Sequence, residues 1–198
     1  MRAILGLILA GGKSTRMGVE KAFVPLDGRP LIAHAVELLR PQVQALAISA
    51  NGDARRFVAF GLPVLHDAAP ESGAGPLAGV AAGLAYAARQ GCDFVATAPC
   101  DTPFAPRDFV SRLVEPIVDS AAAAALAESP RGLEPLFALW RIDLLAALRA
   151  HLAGGGRSPR DFLAAQGAAR VRFAAEEPFV NLNSPADLAR ARAKAKPS

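Results

Sequence analysis

Ala3-Ile4-Leu5-Gly6-Leu7-Ile8-Leu9-Ala10-Gly11-Gly12-Lys13-Ser14-Thr15-Arg16-Met17-Gly18 is the stretch whose reading decides the fold. Ala3 to Leu9 is an apolar run that stops at glycines. Apolar continuity without polar alternation reads as a strand buried on both faces, the habit of parallel sheets. Gly11, Gly12 and Gly18 let backbone approach a ligand and present N–H groups to phosphate. Lys13, Arg16 and Lys21 place three positive charges within nine residues, a density that suits a polyphosphate.

Working outward, short apolar runs alternate with helical periods. Pro30 to Arg40 reads as a helix, Val43 to Ala50 as a strand and Ala54 to Phe60 as a short helix. A short strand at Pro63 to His66 and a loop from Asp67 to Gly75 precede a small-residue helix over Leu77 to Gln90. Asp93 to Ala98 is another buried strand, followed by Pro99-Cys100-Asp101-Thr102-Pro103, which as a proline segment should not continue a sheet ladder. Further on, a helix is expected over Pro106 to Val118 and strands over Ala121 to Leu126 and near Leu136 to Leu139. A helix from Ile142 to Leu152, a short helix after the Gly154-Gly155-Gly156 loop, a strand near Val171 and a last helix after Asn183-Ser184-Pro185 complete the pattern. This alternation predicts an α/β, Rossmann-like three-layer fold with a mostly parallel central sheet flanked by helices. Ligands of such sheets bind at the carboxyl ends of the strands. The loops of interest therefore start at Ala10, Asn51, Asp67 and Pro99.

The composition is that of one globular domain: 198 residues, 52% hydrophobic and 20% charged. The expected division is a nucleotide-binding part at 1–120, an acceptor part at 121–190 and a tail at 191–198. The net charge of +4 is spread along the chain, and the one dense basic run, Arg190 to Lys196, reads as a solvated helix end. A nucleic-acid partner is therefore not expected. Cys92 and Cys100 form no CxxC pair, which argues against a structural zinc site and fits two reduced thiols. No apolar run approaches membrane-spanning length, and the first strand is followed by a basic loop rather than a cleavage site. A cytoplasmic protein with no membrane contact is expected.

Two familiar phosphate motifs are excluded by spacing. A P-loop ending in Gly12-Lys13-Ser14 needs glycine at position 7, which is Leu7, and no G-x-G-x-x-G follows the first strand. Asp101, just past a buried strand, is either a turn residue before Pro103 or a metal ligand. Beside the glycine loop the second use is favoured, because Mg²⁺ takes few protein carboxylates together with substrate phosphates. Asn51 and Asp67 each follow a strand and are turn residues or readers of a base edge or ribose hydroxyl. His66 beside Asp67 would suggest a dyad, but neighbours on a strand point to opposite faces, so His66 reads as structural. Gly75-Pro76-Leu77-Ala78-Gly79 starts a helix or presses its N-terminus against a nucleotide.

Leu9-Ala10-Gly11-Gly12-x-Ser14-x-Arg16-Met17-Gly18-x-Glu20-Lys21, the Gly75 to Gly79 segment, Pro99-Cys100-Asp101-Thr102-Pro103-Phe104 and Phe179-Val180-Asn181-Leu182-Asn183-Ser184-Pro185 together resemble the molybdenum cofactor guanylyltransferase (MobA) family. The resemblance runs from Leu9 to about Leu188. It implies transfer of GMP from GTP to molybdopterin, or Mo-molybdopterin, with release of pyrophosphate. It implies GTP contacts from Leu9, Ala10, Gly11, Gly12, Lys21, Asn51, Asp67 and Asp101. Asp101 would hold Mg²⁺, and Arg16, Lys21 and Asp101 would serve catalysis. Asn181 and Asn183 would face the pterin, and Arg157 and Arg160 would grip its phosphate or be solvated. Molybdopterin-handling and molybdoenzyme-maturation proteins are candidate partners. The related pterin cytidylyltransferases tend to carry A-A-G where this chain has L-A-G-G, so GTP is expected over CTP. Other NTP-dependent nucleotidyltransferases are further alternatives, as is a nucleotide sensor on the same fold. An anionic nucleophile needs no strong general base, which suits the absence of a Ser/His/Asp or Cys/His constellation and makes Cys100 a packing residue.

Overall fold

A computed structural model describes residues 2–11, 20–69, 71–120, 122–174, 179–184 and 186–190. Seven strands form one sheet. In chain order they are β1 (Ile4–Leu9), β4 (Ala45–Ser49), β5 (Val64–Leu65), β6 (Phe94–Pro99), β7 (Ala124–Ser129), β8 (Gly132–Arg141) and β9 (Ala169–Arg172). Two short strands, β2 (Pro25–Leu26) and β3 (Arg29–Pro30), pair as a separate hairpin. Among the described residues the helices include α1 (Leu31–Leu39), α2 (Pro76–Arg89), α3 (Phe109–Ser120), α4 (Leu144–Ala153) and α5 (Pro159–Ala165), and residues 186–190 are helical as well. The sheet order is β5-β4-β1-β6-β8-β7-β9, and β8 alone runs against its neighbours. The α/β, mostly parallel architecture expected from the sequence is the one observed.

Alternation along β1 sends its side chains into two cores. Leu5, Leu7 and Leu9 pack with Leu77, Val80 and Leu84 of α2, Leu148 of α4 and Phe162 of α5. Ile4 and Ile8 pack with Ile32 and Leu39 of α1 and Phe109 and Leu113 of α3. Full burial of each such side chain contributes roughly 1.5–3 kcal/mol, which is why this strand carries no polar residue. Thr97, buried within β6, is satisfied twice: it donates to the Ala138 carbonyl at 3.2 Å and accepts from the Trp140 indole at 3.0 Å. A third cluster of Val24, Leu26, Leu31, Leu182 and Leu188 ties the β2–β3 hairpin to the C-terminal segment.

The short helix expected over Ala54–Phe60 is present and is of the 3₁₀ kind, with Phe57 as its only buried anchor and Asp53 capping it by accepting from the Arg55 N–H. Two local expectations change. β6 continues through Pro99, in register with Leu9. Proline is tolerated there because the Cys100 N–H already bonds the Leu9 carbonyl, and pairing with β8 has ended at Thr97 and Ala138. The strand expected near Leu136 to Leu139 is longer, with a bulge where Leu126 pairs Ala138 but Ala127 pairs Glu134. No helix among the described residues is long and apolar enough to cross a membrane.

Candidate active site

The chain leaves β1, builds β4 and β5 on one side, then crosses back through α2 to place β6 on the other side of β1. This is a topological switch point, where the loops at the carboxyl ends of β1 and β6 part and leave a crevice. The loop after β1 leads to Lys21, and the loop after β6 carries Asp101. Ala10 is tied across to β4 through its N–H on the Ser49 carbonyl, and Cys100 to β1 through the Leu9 carbonyl. Gly11 is exposed, and among the described residues no atom lies where its side chain would begin.

Lys21 is the centre of the arrangement. Its ammonium donates to Asp101 Oδ2 and also to Asn183 Oδ1, residues 80 and 162 positions away in the chain. The Lys21 and Asp101 side chains are only 19% and 11% exposed. A carboxylate oxygen and an amide oxygen converging on one cation are hard donors, the kind that also suit a small divalent cation. Lys21 is held from behind: the neighbouring Glu20 pairs with Arg56, whose guanidinium lies 4.5 Å above the Phe23 ring, and Phe23 packs on Phe57.

The Asn181-Leu182-Asn183 segment is fastened along the Asp101 loop. The Leu182 N–H donates to the Asp101 carbonyl at 2.9 Å, and the Thr102 hydroxyl donates to Asn181 Oδ1 at 2.6 Å. Asp187 closes a capping box behind it, accepting from the Asn183 and Ser184 N–H groups and the Ser184 hydroxyl while its own N–H donates to Ser184 Oγ. The Ser184 hydroxyl, with help from Arg190, holds the Asp187 carboxyl below its ordinary value. Asn51 and Asp67 meet each other at the ends of β4 and β5: Asn51 Nδ2 donates to Asp67 Oδ2 at 2.7 Å and the Asp67 N–H to Asn51 Oδ1 at 3.1 Å. With its carboxylate so engaged, Asp67 forms no dyad with the exposed His66.

A family model described as the MobA-like NTP transferase domain matches residues 6–171. The chain belongs to this family, and it is a nucleotidyltransferase. It is 49% identical over 189 residues to a molybdenum cofactor guanylyltransferase of Cereibacter sphaeroides, covering 95% of each chain. It is also 49% identical to one of Rhodobacter capsulatus, covering 95% of this chain and 94% of that one. Among solved structures, molybdopterin-guanine dinucleotide biosynthesis protein A from Archaeoglobus fulgidus superposes with a TM-score of 0.74 at 22% identity, over 96% of this chain and 97% of that one. That last likeness is one of fold.

Against the family pattern, Lys21, Asp101, Asn181 and Asn183 are drawn into one cluster, while Asn51 and Asp67 form a second pair at neighbouring strand ends. Gly12 and Arg16 lie outside the described residues. Arg157 is occupied elsewhere, donating to the Leu152 and Gly156 carbonyls at the end of α4. Arg160 is exposed on α5. Cys100 is buried, and burial together with the neighbouring Asp101 pushes its thiol up to about 12, so it is no nucleophile at neutral pH. Gly79 serves packing: a side chain there would begin 2.3 Å from Ser49 Oγ. Thr102, Arg56 and Asp187 are members of the site that the sequence reading does not single out. For Asp187 a signal existed in the Ser184-x-x-Asp187 capping pattern.

Proposed function

We propose that this nucleotidyltransferase moves GMP from GTP to molybdopterin, releasing pyrophosphate. The observation that carries the reading is the Lys21 ammonium shared by Asp101 and Asn183 at the switch-point crevice. It joins a cation for phosphate, a carboxylate for metal and the acceptor-side asparagines in one place. The 49% identity to named guanylyltransferases supports the choice of substrates.

In this reading the backbone at Leu9, Ala10 and Gly11 and the Asn51–Asp67 pair hold the nucleoside, and Gly12 and Arg16 hold the phosphates. Asp101 would hold Mg²⁺, which when bound offsets charge on the phosphate oxygens, and Asn181 and Asn183 would face the pterin. Lys21 turns its ammonium to the α-phosphate and counters the charge that builds up in transfer. A phosphate oxygen of molybdopterin attacks the α-phosphorus, a new P–O bond forms, and the bond to the β-phosphate oxygen breaks as pyrophosphate leaves. The attacking oxygen is already an anion, so the chain's contribution is alignment and charge neutralisation. Buried, unpaired Cys92 and Cys100 suit a reducing cytoplasm as the place of action. Pyrophosphate release with GTP and with CTP, each with molybdopterin and Mg²⁺, tests the assignment. Faster release with GTP is expected; preference for CTP would replace the guanylyl reading with a cytidylyl one.

A further inference from the structure

Thr102 is 1% exposed and carries one hydroxyl proton. Two acceptors lie near it, Asn181 Oδ1 at 2.6 Å and Asp101 Oδ1 at 3.3 Å. The shorter contact has the length of an O–H···O bond, and the longer lies beyond that range, so the proton goes to Asn181. This fixes the Asn181 amide: its oxygen is turned to Thr102, and its two N–H donors are turned away. The Leu182 N–H on the Asp101 carbonyl holds the adjoining backbone, and Asn181 itself is exposed. The same arrangement leaves Asp101 Oδ1 without a proton from Thr102.

We propose that Thr102 is a positioning residue for the acceptor, setting the Asn181 amide so that its N–H donors meet the acceptor's phosphate. The identity of that acceptor rests on the function proposed above. Neutral amide donors suit this task. They orient an attacking anion without cancelling its charge, whereas a cation in the same place would lower its nucleophilicity. The hydroxyl thus links the loop that holds the nucleotide side to the segment that receives the acceptor.

Thr102→Val keeps the shape and removes the proton; Thr102→Ser keeps the proton. Thr102→Val is expected to raise KM for molybdopterin about tenfold, the loss of one oriented hydrogen bond, and to leave KM for GTP unchanged. Thr102→Ser should restore the acceptor KM, and adding Asn181→Ala to Thr102→Val should cost nothing further. An unchanged acceptor KM in Thr102→Val, an equal rise for GTP, or additive losses in the double variant would overturn the proposal. Should valine prevent folding, Thr102→Ala is measured in its place. The Asn181 side-chain N–H pair in a ¹H–¹⁵N spectrum gives a readout that needs no acceptor. It should shift in Thr102→Val and hold in Thr102→Ser, and signals that ignore Thr102→Val would also overturn the proposal. Absence of wild-type turnover with GTP and molybdopterin would instead sink the acceptor assignment, leaving the spectrum to decide on Thr102.

Discussion

Because one ammonium is shared between Asp101 and Asn183, a change at any of the three positions disturbs the other two. Asp101→Ala should lower kcat by ~100-fold or more through lost transition-state charge stabilisation. Lys21→Ala should lower kcat more than it raises KM for GTP, since the proposed contact strengthens as charge moves in the transition state. The double variant should lose less than the product of the single losses, because the two side chains touch. Steady-state kinetics on the three proteins check this; a Lys21→Ala effect confined to KM would contradict the role. Lys21 and Asp101 are legible in the sequence through the glycine loop: Lys21 adds to its cluster of positive charge, and an aspartate just past a buried strand, commonly a turn residue, becomes a metal candidate beside such a loop. Thr102 is not. Its importance lies in one proton aimed at a residue 79 positions away, and no local pattern encodes that.

At the scale of elements, the fit of α2 onto the sheet depends on two glycines one helical turn apart. A side chain at Gly83 would begin 2.4 Å from a methyl of Leu7, which is wholly buried and has little room to turn. Alanine gains up to about 1 kcal/mol of helix propensity, but the clash is of the overpacking kind. Gly83→Ala should destabilise the protein by roughly 1–3 kcal/mol, a drop of about 3–10 °C in Tm. A thermal melt decides it, and an unchanged or higher Tm would mean that α2 can shift away from β1 freely. In sequence, the segment starting at Gly75 points to helix initiation or nucleotide contact; the packing use of Gly79 and Gly83 appears only when the opposite strand is known. The β2–β3 hairpin is a different kind of omission. Asp27-Gly28 is a plain turn signal, and both residues adopt positive φ, 50° and 76°. Its flanking strands are two residues each, too short to show alternation.

For the whole molecule, the parallel α/β architecture was legible because buried strands and helices alternate with unmistakable composition. Strand order was not. Placing β6 beside β1, and reversing β8, follows from which helix faces find partners across the sheet, and that is a tertiary outcome. We propose that residues 1–198 act as one nucleotidyltransferase domain, because the sheet joins the part up to 120 with the part after it through β6 and β8. Trp140, the only tryptophan, is buried on β8 and stacked on Phe162, so it reports on the second part. Its fluorescence and the far-UV circular dichroism should change together on unfolding, whereas two separate transitions would argue for two domains. The central claim is the transfer itself. GTP labelled at the α-phosphorus, incubated with the protein, Mg²⁺ and molybdopterin, should pass its label into a pterin–guanine dinucleotide with an equal yield of unlabelled pyrophosphate and no label on the protein. Label retained in GTP, or bound covalently to the chain, would contradict direct guanylyl transfer.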